Sequence, residues 1–136
     1  MEILVAFLIQ WLSLNVNLDI EEPPKVLVIP QQEIVDMLGA NAHAIYHTKT
    51  RLIYLSDDVD VGSIIGASFL LHELVHHYQT EQGLAYKCKQ AAERLAYSVQ
   101  NKFVNAMKSP TIPDLDLLRV ARLTTCPEDF VDPLGR

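Results

Sequence analysis

The sequence predicts one small α+β domain spanning residues 1–136, with a short β-sheet and hairpin packed on a buried helix and a second long helix after it. Three observations lead there. Lys25 to Ile29, Ala44 to His47 and Arg51 to Leu55 are short runs rich in β-branched and aromatic residues, the pattern of strands. Two later segments, Val61 to about Gln82 and Gln90 to Lys108, carry apolar residues at helical spacing. Finally, 49% hydrophobic and 21% charged residues is the composition of a folded globule rather than a disordered chain.

Taken in order, residues 2 to about 18 read as an amphipathic helix with Phe7, Trp11, Leu14 and Leu18 at helical spacing. Glu21-Glu22-Pro23-Pro24 breaks it. The run Val26-Leu27-Val28-Ile29 is a strand closed by Pro30. Ile34, Val35 and Leu38 mark a short helix that Gly39 stops. Thr48-Lys49-Thr50 joins the next two strands as a hairpin. Ser56 to Asp60 offers N-cap candidates for the helix from Val61, which is apolar on nearly every side through Leu71 and is therefore buried. Gly62 and Gly66, one turn apart, suggest close helix packing. The helix from Gln90 shows one stripe, Ala92, Leu95, Ala96, Val99, Phe103 and Met107. Asp114 to Arg122 forms a short final helix.

Charge narrows the function classes. Eleven Lys and Arg stand against 17 Asp and Glu, a net charge of -6. A nucleic-acid binder needs a basic face, and attachment to anionic lipid needs the same, so both are disfavoured. The apolar run Ile3 to Ile9 has no basic residue before it and is too short to span a bilayer. A first helix fits it better than the remnant of a leader. The expected partner is a peptide, protein or small-molecule substrate, and oligomeric state is not readable.

Cys88 and Cys126 admit two readings: a single disulfide in an extracytoplasmic protein, periplasmic or secreted, or two buried thiols in a cytoplasmic one. A bridge would enclose the helix from Gln90 and contribute about 3 to 4 kcal/mol by restricting the unfolded chain. No CxxC appears, so a structural zinc knuckle is excluded.

The chemistry lies in His72-Glu73-Leu74-Val75-His76. HExxH on a helix puts two imidazoles at i and i+4 on one face, within reach of one zinc ion, with a glutamate beside them to take a proton from water. A buried helix rarely directs such residues inward without a partner for them. A catalytic zinc takes three protein ligands. Glu93 is the leading third ligand, carried on the next helix, which can pack antiparallel and return it toward His76. His43 and His47, in or near the hairpin, are further options, and Cys88 is a weaker one. Glu81 falls on the opposite helix face.

Phe69 to Gln79, followed by Glu93-Arg94-Leu95-Ala96-Tyr97, resembles the zincin-like metallopeptidases, most closely the small gluzincin-like bacterial type. The resemblance covers Ile64 to Asn101. It implies zinc on His72, His76 and Glu93, Glu73 as general base, and an edge strand lying over the cleft. HExxHxxGxxH is absent, because Gln82 stands where its last histidine would be. The chain also has little beyond Met107 to build a second lobe.

Softer candidates surround this set. Tyr97, four residues after Glu93, is placed to stabilise an oxyanion or brace a ligand. His77, four residues after Glu73, is either a brace for that carboxylate or an exposed histidine. Gln79 reads as helix surface. The strand Arg51 to Leu55 is expected to pair with an extended peptide. The activity implied is hydrolysis of peptide bonds through zinc-activated water. The alternatives are a zinc-binding scaffold or regulatory protein without turnover, and an interaction module in which HExxH is incidental.

Overall fold

The computed structural model describes residues 1–107 and 123–129. In chain order these form α1 (Glu2–Val16), β1 (Lys25–Ile29), α2 (Gln31–Leu38), β2 (Ala44–His47), β3 (Leu52–Ser56), α3 (Ile64–Glu81) and α4 (Lys89–Ala106), with a 3-10 turn at Pro127–Asp129. The fold is α+β. The short helix expected at Asp114 to Arg122 lies outside the described residues.

The sheet order is β1-β3-β2, with β1 parallel and β2 antiparallel to β3. That order corrects one expectation. β3 is flanked on both sides, so it has no free edge with which to bind an extended peptide. The edges belong to β1 and β2, and β2 borders α3. The hairpin turn includes Arg51 as well, because Arg51 takes a left-handed φ of 57° and donates its N–H to the His47 carbonyl. Gly39 ends α2 at φ 73°, as its position predicts.

Both faces of α3 are covered, which is why its sequence is apolar all round. Leu70, Leu71, Leu74 and Val75 are fully buried and join Ile53 of the sheet, Leu8 and Leu12 of α1, and Val99 and Phe103 of α4 in one core. Trp11 meets Phe103 edge-on at 5.1 Å, fixing α1 against α4. The buried face of α1 is Val5, Leu8, Trp11 and Leu12, while Phe7 and Leu14 are exposed. Of the predicted stripe, Trp11 and Leu18 are buried and Phe7 and Leu14 are not, because α1 is apolar on several sides and periodicity alone does not pick the face.

The start of α3 is set by Ser63 rather than by the residues 56–60. Its hydroxyl accepts from Gly66 N–H and donates to the Asp60 carbonyl. A Cβ on Gly66 would fall 1.8 Å from that same carbonyl, so glycine is required for the incoming turn, not for helix–helix packing. At the far end, α4 begins at Cys88, which forms a disulfide with Cys126. Lys87 reaches Asp129 at 2.6 Å and Arg94 donates to the Thr124 carbonyl, so residues 123–129 return to the start of α4. No described helix is long and apolar enough to cross a membrane.

Candidate metal centre

α3 and α4 pack along their lengths, and this brings the second half of α3 opposite the first half of α4. His72 and His76, one turn apart, direct their Nε2 atoms at a single carboxylate. His72 Nε2 lies 2.7 Å from Glu93 Oε2, and His76 Nε2 lies 3.0 Å from Glu93 Oε1. The three side chains form a group able to hold a metal ion. Glu93 is 30% exposed, so the group is reachable from solvent on one side.

Hydrogen-bond accounting fixes the protons. The Gln79 amide nitrogen donates to the Ala92 carbonyl at 2.9 Å, which turns its Oε1 toward His76 Nδ1, also at 2.9 Å. An amide oxygen only accepts, so Nδ1 carries the hydrogen and a neutral His76 presents a bare Nε2. The same logic runs through Gln100. Ser68 Oγ donates to the Ile65 carbonyl and accepts from Gln100 Nε2, leaving Gln100 Oε1 to take the His72 Nδ1–H at 2.9 Å. Both imidazoles therefore aim a lone pair at a carboxylate. Acceptor facing acceptor at these distances requires a cation between them, either a proton or a metal ion.

Without metal, a proton on His76 fills that role. Burial alone would lower the His76 pKa, but the bond to Glu93 and the charge of Glu73 outweigh it and push it up to about 9. Burial would raise Glu93, yet its bonds to His72 and His76 hold it at about 2. Glu73 is buried beside the group, and burial raises its pKa against the pull of His72 and His76.

Several sequence expectations are corrected here. Gln79 is not a surface residue: it is 3% exposed and orients His76. Gln100, which the sequence did not single out, is 4% exposed and does the same for His72. His77 is neither exposed nor a brace for Glu73. It is buried, with Nδ1 2.9 Å from the Tyr46 hydroxyl and Nε2 2.8 Å from the Glu22 carbonyl. His43 stacks on Phe69 at 4.2 Å, and His47 Nδ1 takes the Thr50 N–H, so neither joins the group. Cys88 is committed to the disulfide. Tyr97 stands with its ring edge-on to His72, centroids 4.5 Å apart. Glu81 faces away from the group, as its spacing predicts, and accepts the Glu21 and Glu22 N–H groups.

No curated protein and no solved structure matches the chain. A family match covers residues 1–133, nearly the whole sequence, and on that ground the chain belongs to the family described as Domain of unknown function (DUF6647).

Proposed function

We propose that the protein is a zinc-dependent, zincin-like hydrolase of peptide bonds, with His72, His76 and Glu93 as ligands and Glu73 as general base. One observation carries the reading. Two imidazole lone pairs, each fixed by a buried glutamine, converge with a carboxylate on one point beside a buried glutamate. Two nitrogens and one oxygen are a donor set that suits zinc and leaves room for substrate. When bound there, zinc supplies Lewis acidity, polarising a carbonyl and bringing the pKa of water toward neutrality.

The chain's own residues supply the rest. Glu73 takes the proton of the attacking water and returns it to the leaving amine, and its raised pKa suits both transfers. Tyr97, whose ring packs edge-on against His72, takes the role of donor to charge developing on the carbonyl oxygen. Since β3 is internal to the sheet, the substrate strand pairs with an edge strand rather than with β3. An antiparallel edge strand beside an HExxH helix, with the third ligand on the following helix, supports the zincin resemblance. The Cys88–Cys126 bond favours an extracytoplasmic location, because such bonds persist in oxidising compartments.

The test pairs zinc content with turnover. Wild type should bind one zinc and cleave members of a quenched-fluorescence peptide library. Glu73→Gln should keep the zinc and lose activity by about 10^3-fold or more, the scale of removing an essential base. Stoichiometric zinc with no hydrolysis by wild type would make the protein a zinc-binding scaffold, and no zinc at all would end the reading.

A further inference from the structure

We propose that Tyr46 is the positioning residue for Glu73: its phenol anchors the open edge of β2 to α3 so that its own backbone N–H meets the Glu73 carboxylate. The inference rests on Glu73 being the base of the proposed reaction, and it adds the device that aims it.

The backbone argument comes from strand register. Ser56 N–H donates to the His43 carbonyl, and the pairs continue as Ala44↔Leu55, Ile45↔Tyr54, Tyr46↔Ile53 and His47↔Leu52. Hydrogen-bonded and non-bonded pairs alternate in an antiparallel ladder. Ile45 and His47 therefore direct their peptide groups at β3, whereas Ala44 and Tyr46 turn theirs outward, on the edge that borders α3. The outward Tyr46 N–H thus faces α3, and His77, which holds the Tyr46 phenol, lies one turn after Glu73 on that helix, so Glu73 is the acceptor the geometry offers this N–H. Glu73 is a buried acceptor, so a donor from β2 bears on its orientation.

The side-chain argument comes from His77. Its Nε2 faces the Glu22 carbonyl, an acceptor, and so carries the hydrogen. Nδ1 is then the acceptor, and the Tyr46 hydroxyl donates to it at 2.9 Å. Tyr46 is thus fixed to α3 by its phenol at His77, while its outward peptide N–H faces the same helix at the level of Glu73, one turn earlier. His77 is itself 3% exposed and seated on the 21–22 loop, so the anchor point is rigid. Nothing else among the hydrogen bonds of the described residues ties the free side of β2 to this part of α3.

Amide hydrogen exchange on the full-length, zinc-loaded protein reads the device directly. In Tyr46→Phe, the amide at position 46 should exchange about tenfold faster or more, the scale of losing one net hydrogen bond. The Ile45 and His47 amides, which pair with β3, should keep their wild-type rates. Zinc affinity should stay within about twofold, because no ligand or ligand support is altered. On a peptide that wild type cleaves, kcat should fall about tenfold with KM unchanged, the mark of a lost transition-state interaction. Unchanged exchange at position 46 would overturn the proposal, and so would equal acceleration at positions 45, 46 and 47, which would make the phenol a general hairpin brace. Should Tyr46→Phe fail to fold, Glu73→Ala tests the other end: the Tyr46 amide must lose protection while Ile45 and His47 do not, and retained protection overturns the proposal. Wild type lacking zinc or turnover would instead sink the hydrolase reading, while the exchange pattern still decides whether Tyr46 holds Glu73.

Discussion

Two histidine–carboxylate pairs, one half-buried and one buried, start from neighbouring residues of α3, and their polar contacts have opposite outcomes. His76 pairs with Glu93 at 3.0 Å, and His77 pairs with Glu81 at 3.5 Å. Around His77 the donors and acceptors match. Glu81 receives two backbone N–H groups, from Glu21 and Glu22, while His77 donates to one carbonyl and accepts from one phenol. Nothing is left over, and the pair fastens the 21–22 loop and β2 to the helix. Around His76 the accounting does not close. Gln79 and Gln100 claim the Nδ1 hydrogens, and two lone pairs face a carboxylate that receives no backbone N–H among the described residues. A histidine beside a carboxylate is therefore not by itself a metal site. The deficit of hydrogens is what marks one.

The comparison breaks most sharply by substitution across the two pairs. His72→Ala and His76→Ala should abolish stoichiometric zinc, and Glu93→Ala should weaken zinc by about a thousandfold, each measured by elemental analysis and competition with a chelator. His77→Ala and Glu81→Ala should retain zinc affinity within a few-fold. They should instead lower unfolding stability by about 1 to 3 kcal/mol, the cost of leaving buried partners unsatisfied. Zinc retained at wild-type affinity in Glu93→Ala, or lost in Glu81→Ala, would reverse the assignment of the two pairs.

pH sharpens the same contrast, with an effect of about a hundredfold over two units. His76 rises from 6.5 to about 9 in the metal-free fold. A raised pKa contributes stability that is complete below 6.5 and is lost as pH climbs through about 9. Glu93 falls from 4.5 to about 2, so its contribution is present above 4.5 and is lost as pH falls toward about 2. Metal-free stability from this pair should therefore plateau between 4.5 and 6.5 and decline on either side. Zinc must displace the His76 proton, so its apparent affinity should rise about tenfold per pH unit from about 7 to 9. Unfolding and zinc titrations across that range should move in opposite directions. A flat zinc affinity would contradict ligation through His76.

What was legible in the sequence follows the reach of each signal. His72, Glu73, His76 and Glu93 could be named because helical spacing is local and the turn between α3 and α4 is short. The strands and the Gly39 stop were readable for the same reason. Gln79 and Gln100 were not, since an uncharged polar residue on a helix looks like surface until the partner helix is in place. Only the packing of α4 on α3 makes them buried hydrogen-bond partners. His77 was misread because its partners, Tyr46 and Glu22, lie 31 and 55 residues away. The sequence points to β3 as the peptide-binding edge because pairing order is a long-range property, and only half of the α1 stripe, Trp11 and Leu18, faces the core because α1 is apolar on more than one side.

The smallest effect tests the glutamines, the residues that convert one histidine pair into a centre short of hydrogens. Gln79→Ala and Gln100→Ala each remove the acceptor for an Nδ1 hydrogen without touching a ligand. His76 or His72 then becomes free to present the other tautomer, with its hydrogen on Nε2, aimed at the metal position. Partners of this kind are worth about 10- to 100-fold in metal affinity, and a neutral amide, weaker as an acceptor than a carboxylate, places these near tenfold. Replacing the amide by a carboxylate gives the sign check. Gln79→Glu keeps an acceptor for Nδ1 but loses the donor to Ala92, so it should bind zinc more tightly than Gln79→Ala while being less stable than wild type. Equal zinc affinity in wild type, Gln79→Ala and Gln79→Glu would mean that the tautomer is set elsewhere, and the distinction between the His76 and His77 pairs would then lie in Glu93 alone.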